Sequence, residues 1–201
     1  MKVVVVRESR PDERRVALVP AAVSKLIDAG LEVAVEPGAG EHARYADDAY
    51  RKAGAEVSEA ALDGAHVLVG VQPPTGAQLA RLAPGAITVS FLPVAEEPDL
   101  IRAARDAGAG LFGMELVPRI SRAQSMDALS SQALVAGYRA GLVAAERFEG
   151  FFPLLMTAAG TLPPAKVLVL GAGVAGLQAI ATTKRLGAVV SAYDVRAAAA
   201  E

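Results

Sequence analysis

The stretch Val167–Arg196, VLVLGAGVAGLQAIATTKRLGAVVSAYDVR, decides the fold of the second half of the chain. An apolar run leads into the motif Gly171-x-Gly173-x-x-Gly176, a helix-like segment follows, and a second apolar run ends at Asp194. Strand, glycine loop, helix and strand in this order are typical of a parallel βαβ unit. The stretch therefore predicts a Rossmann-like domain, with strands Lys166–Leu170 and Ala188–Tyr193 and helix Val174–Leu186.

Each glycine of the loop has a steric reason. Gly171 lets the strand turn sharply, Gly173 lets the backbone approach a pyrophosphate, and Gly176 lets the helix pack closely on the strand. The phosphates are expected at the helix N-terminus, where the N–H groups of Val174 and Ala175 and the helix dipole favour negative charge. The motif predicts a dinucleotide site; the alternative is a glycine-rich turn without a ligand.

Asp194 lies eighteen residues after Gly176, at the end of the next predicted strand. A carboxylate there accepts hydrogen bonds from the adenosine ribose hydroxyls and repels a 2′-phosphate, so NAD(H) is favoured over NADP(H). Arg196 lies close by and belongs to the predicted cofactor site, although its positive charge weakens the argument against a 2′-phosphate.

The first half of the chain alternates in the same way between strand-like and helix-like runs, which predicts a parallel sheet covered by helices. The predicted strands are Lys2–Arg7, Glu32–Glu36, Ala65–Val71, Ala86–Leu92 and Gly110–Leu116. The predicted helices are Pro20–Ala29, Asp47–Ala53, Thr75–Leu82 and Glu97–Ala107. We expect two Rossmann-like α/β domains: an N-terminal domain over residues 1–125, a connecting helix over 126–148, and a second domain over 149–201 that is incomplete in this chain.

A polar cluster precedes and opens the connecting helix, in the segment PRISRAQSMDALSS. Ser125 is expected to cap that helix, and its expected apolar face comprises Leu129, Ala133, Ala136, Ala140 and Val143. The cluster itself includes Arg119, Gln124, Asp127 and Ser130, which are neither nucleophiles nor obvious acid–base catalysts. Taken alone, these side chains also fit a solvated surface with a helix cap.

The composition excludes several functional classes. The 201 residues contain no cysteine, so disulfides, thiolate metal sites and cysteine nucleophiles are absent. The two histidines, His42 and His66, do not have metal-ligand spacing, and no metal site is expected. A formal net charge of −2 gives no electrostatic reason to expect nucleic acid.

Three segments resemble a known family. Thr157–Arg196 and Met114–Ala140 closely resemble the NAD(H)-binding domain of the α subunit of proton-translocating NAD(P) transhydrogenases. Arg7–Pro20, RESRPDERRVALVP, resembles the N-terminal signature that this family shares with alanine dehydrogenase. Together they represent a resemblance over essentially the whole chain.

The resemblance implies roles for the polar cluster. A loop carrying Arg119, Gln124 and Asp127 is expected over the nicotinamide ring, with Ser130 as a further contact. The implied activity is that of a Re/Si-specific, proton-translocating transhydrogenase subunit, which passes hydride from NADH to NADP⁺ held on a β subunit. The resemblance also implies a homodimer, a membrane-spanning partner, and a cytoplasmic, peripheral location at the inner face of the membrane.

Two other functions remain open at this point. An alanine dehydrogenase needs a base and a cation for the substrate carboxylate. That family places a Lys and a His where this chain has Gln72-Pro73-Pro74 and Leu92-Pro93-Val94, although Arg15 is retained. The other possibility is a non-catalytic NAD-binding fragment.

Overall fold

The computed structural model describes residues 1–197, and the last four residues of the predicted second domain lie outside this range. The chain forms two compact units, the first of which is Met1–Met126 and the second of which begins at Asp127. Both units contain a parallel sheet with helices, so the predicted α/β class with two parallel sheets is confirmed.

The first unit contains a six-stranded sheet in the order β3-β2-β1-β4-β5-β6, and every adjacent pair of strands is parallel. The strands are β1 (Lys2–Val5), β2 (Glu32–Val35), β3 (Glu56–Val57), β4 (Val67–Val69), β5 (Ile87–Ser90) and β6 (Gly110–Gly113). The α-helices are α1 (Pro20–Asp28), α2 (Asp47–Lys52), α3 (Gly76–Leu79) and α4 (Pro98–Asp106). Three 3₁₀ helices also occur, at Glu41–Ala43, Met114–Leu116 and Ser121–Met126.

The central strand β1 explains why this sheet is buried on both faces. Val3 and Val5 belong to one apolar cluster, while Val4 belongs to a second cluster, and all three are at most 4% exposed. Successive strand residues point to opposite faces, so an unbroken valine run suits a sheet covered on both sides. The sheet order changes direction between β1 and β4, and a crevice forms beyond the carboxyl ends of such a pair of strands.

The second unit is built around α5 (Ala128–Arg147) and a βαβ motif. Its strands are β7 (Leu155–Thr157), β8 (Gly160–Leu162), β9 (Lys166–Leu170) and β10 (Val189–Tyr193), and its second helix is α6 (Val174–Arg185). Strands β9 and β10 are parallel, whereas β7 and β8 form an antiparallel hairpin. Phe152, Ala165 and Ala188 are the buried centre of a small core beneath this motif.

Helices α5 and α6 pack closely because two glycines of α5 face α6. A Cβ on Gly137 would lie 2.1 Å from the carbonyl oxygen of Ala175, and a Cβ on Gly141 would lie 3.0 Å from Cγ2 of Thr182. Gly137 and Gly141 are also the buried residues of α5. The predicted apolar face of this helix was therefore wrong, since Leu129, Ala136 and Ala140 are exposed and the glycine face makes the contact.

The helix cap also differs from the prediction. Asp127 occupies the N-cap position of α5, and its side chain accepts the N–H of Ser130. Ser125, the predicted cap, lies in the preceding 3₁₀ helix. Asp is as good a cap as Ser, and only the residue directly before the helical turn can bond the N–H three residues later.

The remaining differences concern short elements. Strand β3 and the β7–β8 hairpin carry little hydrophobic patterning, and the sequence did not predict them. Within residues 1–197, no helix combines the length and the apolar character needed to span a bilayer.

Candidate functional site

The glycine loop joins β9 to α6, and two of its glycines satisfy requirements that no other residue meets easily. Gly171 has a φ of 97°, a conformation that costs residues with a Cβ. A Cβ on Gly176 would lie 1.7 Å from the carbonyl oxygen of Gly171. These observations show the sharp turn and the close helix–strand packing that the motif predicted.

Gly173 differs from the other two glycines. It is the N-cap of α6, its φ of −79° is open to other residues, and the atom closest to an added Cβ would be Nη2 of Arg196 at 4.0 Å. No side chain of the described residues caps α6. The first turn of α6, at Val174 and Ala175, therefore presents N–H groups and the positive end of the helix dipole beside open space.

Asp194 lies directly after β10 and is bonded to the glycine loop. Its Oδ2 accepts the N–H of Ala172 at 2.7 Å, and its Oδ1 accepts the N–H of Arg196 at 2.8 Å. The Arg196 side chain adds bonds from Nε to Oδ1 and from Nη2 to Oδ2, both at 3.0 Å. The Arg196 guanidinium, together with the N–H groups of Arg196 and Ala172, holds the pKa of Asp194 well below its ordinary value.

The Asp194 side chain is only 9% exposed, whereas that of Arg196 is 63% exposed. The carboxylate is therefore enclosed beside the loop, and the arginine covers it from the solvent side. A charged carboxylate held at the end of β10 suits hydrogen bonding to ribose hydroxyls. The bond from Ala172 was not anticipated from the sequence, because a backbone donor leaves no signal in residue types.

Asp127 and Ser130 form a tight pair at the start of α5. Oδ1 of Asp127 accepts the N–H of Ser130 at 2.9 Å, and Oδ2 accepts the Ser130 hydroxyl at 2.7 Å. The hydroxyl hydrogen is thereby directed to Asp127, and the lone pairs of Oγ stay available to accept a hydrogen bond. Arg119 and Gln124 are exposed residues of the first unit; Gln124 lies in the 3₁₀ helix Ser121–Met126 and Arg119 in the loop before it.

A second polar network joins the segments that follow β1 and β4 in the first unit. Glu8 accepts the N–H of Val71 at 2.6 Å and that of Gln72 at 3.1 Å. Burial raises the pKa of Glu8 in spite of these two bonds. The network therefore ties the segment after β1 to the segment after β4 at the point where the sheet order reverses.

Arg15 is paired within the same network. Its Nε donates to Oε1 of Glu13 at 2.8 Å and its Nη2 donates to Oε2 at 2.6 Å, while the amide of Gln72 donates to the same Oε2 at 2.5 Å. Hydrogen bonding to Arg15 lowers the pKa of Glu13 to about 2. The Glu13 carboxylate thus bonds the Arg15 guanidinium, which is the group that would have to bind the carboxylate of a substrate. Glu13 is not among the site residues predicted from the sequence, although it lies two residues before Arg15.

Comparison with family models decides the relationship. Residues 4–136 match the N-terminal domain of alanine dehydrogenase/PNT, and residues 140–201 match the C-terminal domain. The chain belongs to the alanine dehydrogenase/PNT family. Two matched domains within one chain agree with the resemblance seen in its motifs.

Transhydrogenase subunits and alanine dehydrogenases both occur among the relatives. The chain is 50% identical to the Rhodospirillum rubrum protein named as the first part of NAD(P) transhydrogenase subunit alpha, over 100% of this chain and 54% of that protein. It is 32% identical to an alanine dehydrogenase of Halomonas elongata, over 96% of this chain and 53% of that protein. The chain therefore spans about half the length of these curated relatives.

Solved structures give the same order of similarity. The transhydrogenase from Sinorhizobium meliloti superposes with a TM-score of 0.94 at 49% identity, covering 99% of this chain and 60% of that one. An L-alanine dehydrogenase superposes with a TM-score of 0.83 at 28% identity, covering 99% of this chain and 56% of that one. No group of three potential metal ligands occurs among the residues that the structure describes.

The glycine loop generates a prediction that separates packing from binding. Gly176→Ala places a Cβ against the Gly171 carbonyl and should destabilise the second unit by about 2 kcal/mol or more. Gly173→Ala should cost no more than about 1 kcal/mol, because the site is open and only the N-cap preference for glycine over alanine is lost. It should nevertheless weaken NADH binding about tenfold, because the methyl group occupies the space that a pyrophosphate needs. Thermal unfolding and fluorescence titration with NADH measure the two effects; unchanged NADH affinity in Gly173→Ala would contradict the predicted site.

The Glu13–Arg15 pair generates a pH prediction. Because the pKa of Glu13 is lowered from 4.5 to about 2, its stabilisation is fully present above pH 4.5 and is lost as the pH falls towards 2. Glu13→Gln, which resembles the protonated side chain, should cost about 1 kcal/mol at pH 6, since Arg15 is partly exposed. Urea unfolding from pH 6 to pH 2.5 should show this difference shrinking. Asp106→Asn, which removes an exposed pair with Arg105, is the control and should cost less than about 0.5 kcal/mol.

Proposed function

We propose that this chain is the NAD(H)-binding component of a proton-translocating, Re/Si-specific transhydrogenase, which passes hydride from NADH to NADP⁺ held on a partner subunit. The observation that carries the proposal is the glycine loop packed between β9 and α6, with Asp194 bonded to it through the N–H of Ala172. The names of the transhydrogenase relatives support it, and they come from proteins about twice as long as this chain.

The residues of the second unit fit a dinucleotide. The first turn of α6 at Val174 and Ala175 would bind the pyrophosphate, and open space at Gly173 lets it approach. Asp194 would bind the adenosine ribose, and its negative charge favours NAD(H) over a cofactor with a 2′-phosphate. Arg196 would leave the carboxylate and remain at the edge of the site.

The arrangement of Asp127 and Ser130 suits positioning rather than acid–base chemistry. When bound, NADH supplies the hydride, and direct transfer between two nicotinamide rings requires close, aligned reactants with water excluded. Asp127 fixes the Ser130 hydroxyl so that its oxygen accepts a hydrogen bond from a carboxamide. The family resemblance also assigns Gln124 to hydrogen bonding on the nicotinamide side, and Arg119 to ring orientation and local charge.

An amino-acid dehydrogenase is less well supported by the first unit. Oxidative deamination moves protons as well as hydride, and therefore needs a titratable base and a free cation. Gln72 and Pro93 stand at the two places where the resemblance to alanine dehydrogenase implies Lys and His. The guanidinium of Arg15 donates hydrogen bonds to both carboxylate oxygens of Glu13, so it already has a carboxylate partner.

The partners follow from the proposed activity. NADP(H) is bound by a β subunit, and a membrane-spanning subunit couples hydride transfer to proton movement. The chain forms a homodimer and lies at the cytoplasmic face of the membrane through these subunits. The subunit names of the relatives support the existence of partners. Nothing in the net charge of −2 favours a nucleic-acid partner.

Reconstitution tests the proposed activity. The chain, mixed with an NADP-binding transhydrogenase domain, should reduce an NADP⁺ analogue and oxidise NADH. The absorbance change of the analogue measures the rate of this reaction. It should not reduce NAD⁺ with L-alanine above the rate of a blank. NADH binding with turnover of L-alanine and no exchange between the cofactors would overturn the proposal in favour of the dehydrogenase.

Gln124→Asn tests whether the polar cluster positions the ring. The shortened side chain moves the amide group by one methylene, which should slow single-turnover hydride transfer at least tenfold, because small misplacements are costly in the reacting geometry. The dissociation constant of NADH should change less than about threefold, because the glycine loop and Asp194 are intact. Gln132→Asn, the same change on the exposed side of α5, is the control. Equal losses in rate and affinity in Gln124→Asn would count against a positioning role.

A further inference from the structure

Gly137 lies in the middle of α5, against the first turn of the other helix of the second unit. A Cβ at this position would meet three backbone atoms of Ala175, namely O at 2.1 Å, C at 2.8 Å and Cα at 2.9 Å. Backbone atoms cannot rotate away as a flexible side chain can. The absence of a Cβ at Gly137 therefore sets how closely α5 approaches the N-terminus of α6.

Each of the two helices in this contact carries one end of the proposed cofactor site at its N-terminus. The N-terminus of α6 follows the glycine loop, and the N-terminus of α5 carries the Asp127–Ser130 pair. Ser130 lies about 10 Å along α5 from Gly137, at about 1.5 Å for each residue. Because Asp127 caps α5 through Ser130, the pair moves with the helix rather than with the preceding loop.

We propose that Gly137 is a positioning residue, which fixes the Asp127–Ser130 pair relative to the glycine loop through the contact of α5 with Ala175. This inference rests on the proposed function, since it takes the two segments as the nicotinamide and pyrophosphate ends of one dinucleotide site. Gly137 acts through Asp127 and Ser130 and touches no cofactor itself.

The geometry of the helix pair amplifies a disturbance at Gly137. Gly141 packs against Thr182 one turn further along and forms a second contact, about 6 Å away along the axis. If α5 is pushed off Ala175 and tilts about Gly141, its N-terminus moves by roughly three times the displacement at Gly137, because Asp127 lies about 21 Å from Gly141. A small shift at Ala175 therefore becomes a large shift at Asp127.

Gly141 supplies a matched control on the same helix face. A Cβ there would meet Cγ2 of Thr182 at 3.0 Å and Cγ2 of Thr183 at 3.4 Å, which are side-chain atoms rather than backbone. Both threonine hydroxyls are bonded inside α6, to Gln178 O and Ala179 O, so their methyl groups face α5 without an unpaired polar group. Gly141→Ala should therefore need shifts of only a few tenths of an ångström.

The experiment compares NADH with ADP in the wild type, Gly137→Ala and Gly141→Ala, by titration of the full chain. ADP contains the part that the glycine loop and Asp194 would bind, whereas NADH also reaches Asp127 and Ser130. In Gly137→Ala, the affinity for NADH should fall at least ten times more than the affinity for ADP, because the added Cβ at Ala175 affects both ligands and the displacement of Asp127 and Ser130 affects only NADH. In Gly141→Ala, the ratio of the two affinities should stay within threefold.

Two outcomes would overturn the inference. One is an equal change in both affinities in Gly137→Ala, which indicates a general structural role. The other is the same change in the ratio in Gly141→Ala. If the wild type binds neither ADP nor NADH, the proposed function itself fails, which is a different result from binding with an unchanged ratio.

A second variant keeps the inference testable if Gly137→Ala does not unfold cooperatively. Gly141→Leu displaces α5 against Thr182 instead of Ala175, and should also lower the affinity for NADH at least tenfold while leaving that for ADP within threefold. A folded Gly141→Leu protein with an unchanged ratio of affinities would show that the orientation of α5 does not control the nicotinamide end.

Discussion

The second unit depends on backbone-to-backbone contact at the first turn of α6. Gly176 brings this turn against the end of β9, and Gly137 brings α5 against it from another side. At both positions the contact distance to a Cβ would be far below van der Waals separation, so neither glycine is replaceable without movement of the backbone. One helical turn thus fixes the strand, the glycine loop and the helix that carries Asp127, and it does so without using large apolar side chains.

The two units use their carboxylates in different ways. In the second unit, Asp194 is held by the N–H groups of Ala172 and Arg196, and the exposed guanidinium of Arg196 covers it from the solvent side. In the first unit, Glu13 bonds Arg15 and the side chain of Gln72, which lies in the segment after β4. This internal ion pair gives the Arg15 guanidinium a carboxylate partner from the chain itself.

The arrangement of these carboxylates is consistent with the proposed hydride transfer. That reaction depends on the placement of the two cofactors and not on proton transfer by the protein. A hydride exchanged between two nicotinamide rings requires neither a nucleophile nor a general base from the protein, and precise placement supplies much of the rate. The residues at the start of α5 are a capping carboxylate and a hydroxyl oriented by it, which are groups suited to holding a carboxamide in the proposed function. In the proposed function, the position of α5 then affects hydride transfer as well as stability.

The sequence by itself determined the α/β class, the parallel sheets and the glycine loop, because hydrophobic runs and glycine spacing are local signals that survive without tertiary contacts. Asp194 could be found in the same way, since its distance from Gly176 is set by one helix and one strand. The sequence did not reveal that Asp127 rather than Ser125 caps α5, or that the packed face of α5 is formed by Gly137 and Gly141. A helical glycine carries no hydrophobic signal, and its meaning depends on which backbone approaches it. The bond from the Ala172 N–H to Asp194 likewise became visible only in the tertiary structure, because every residue except proline has such a donor. The pairing of Glu13 with Arg15 became visible there too, because residue types alone do not show which neighbouring charges bond each other.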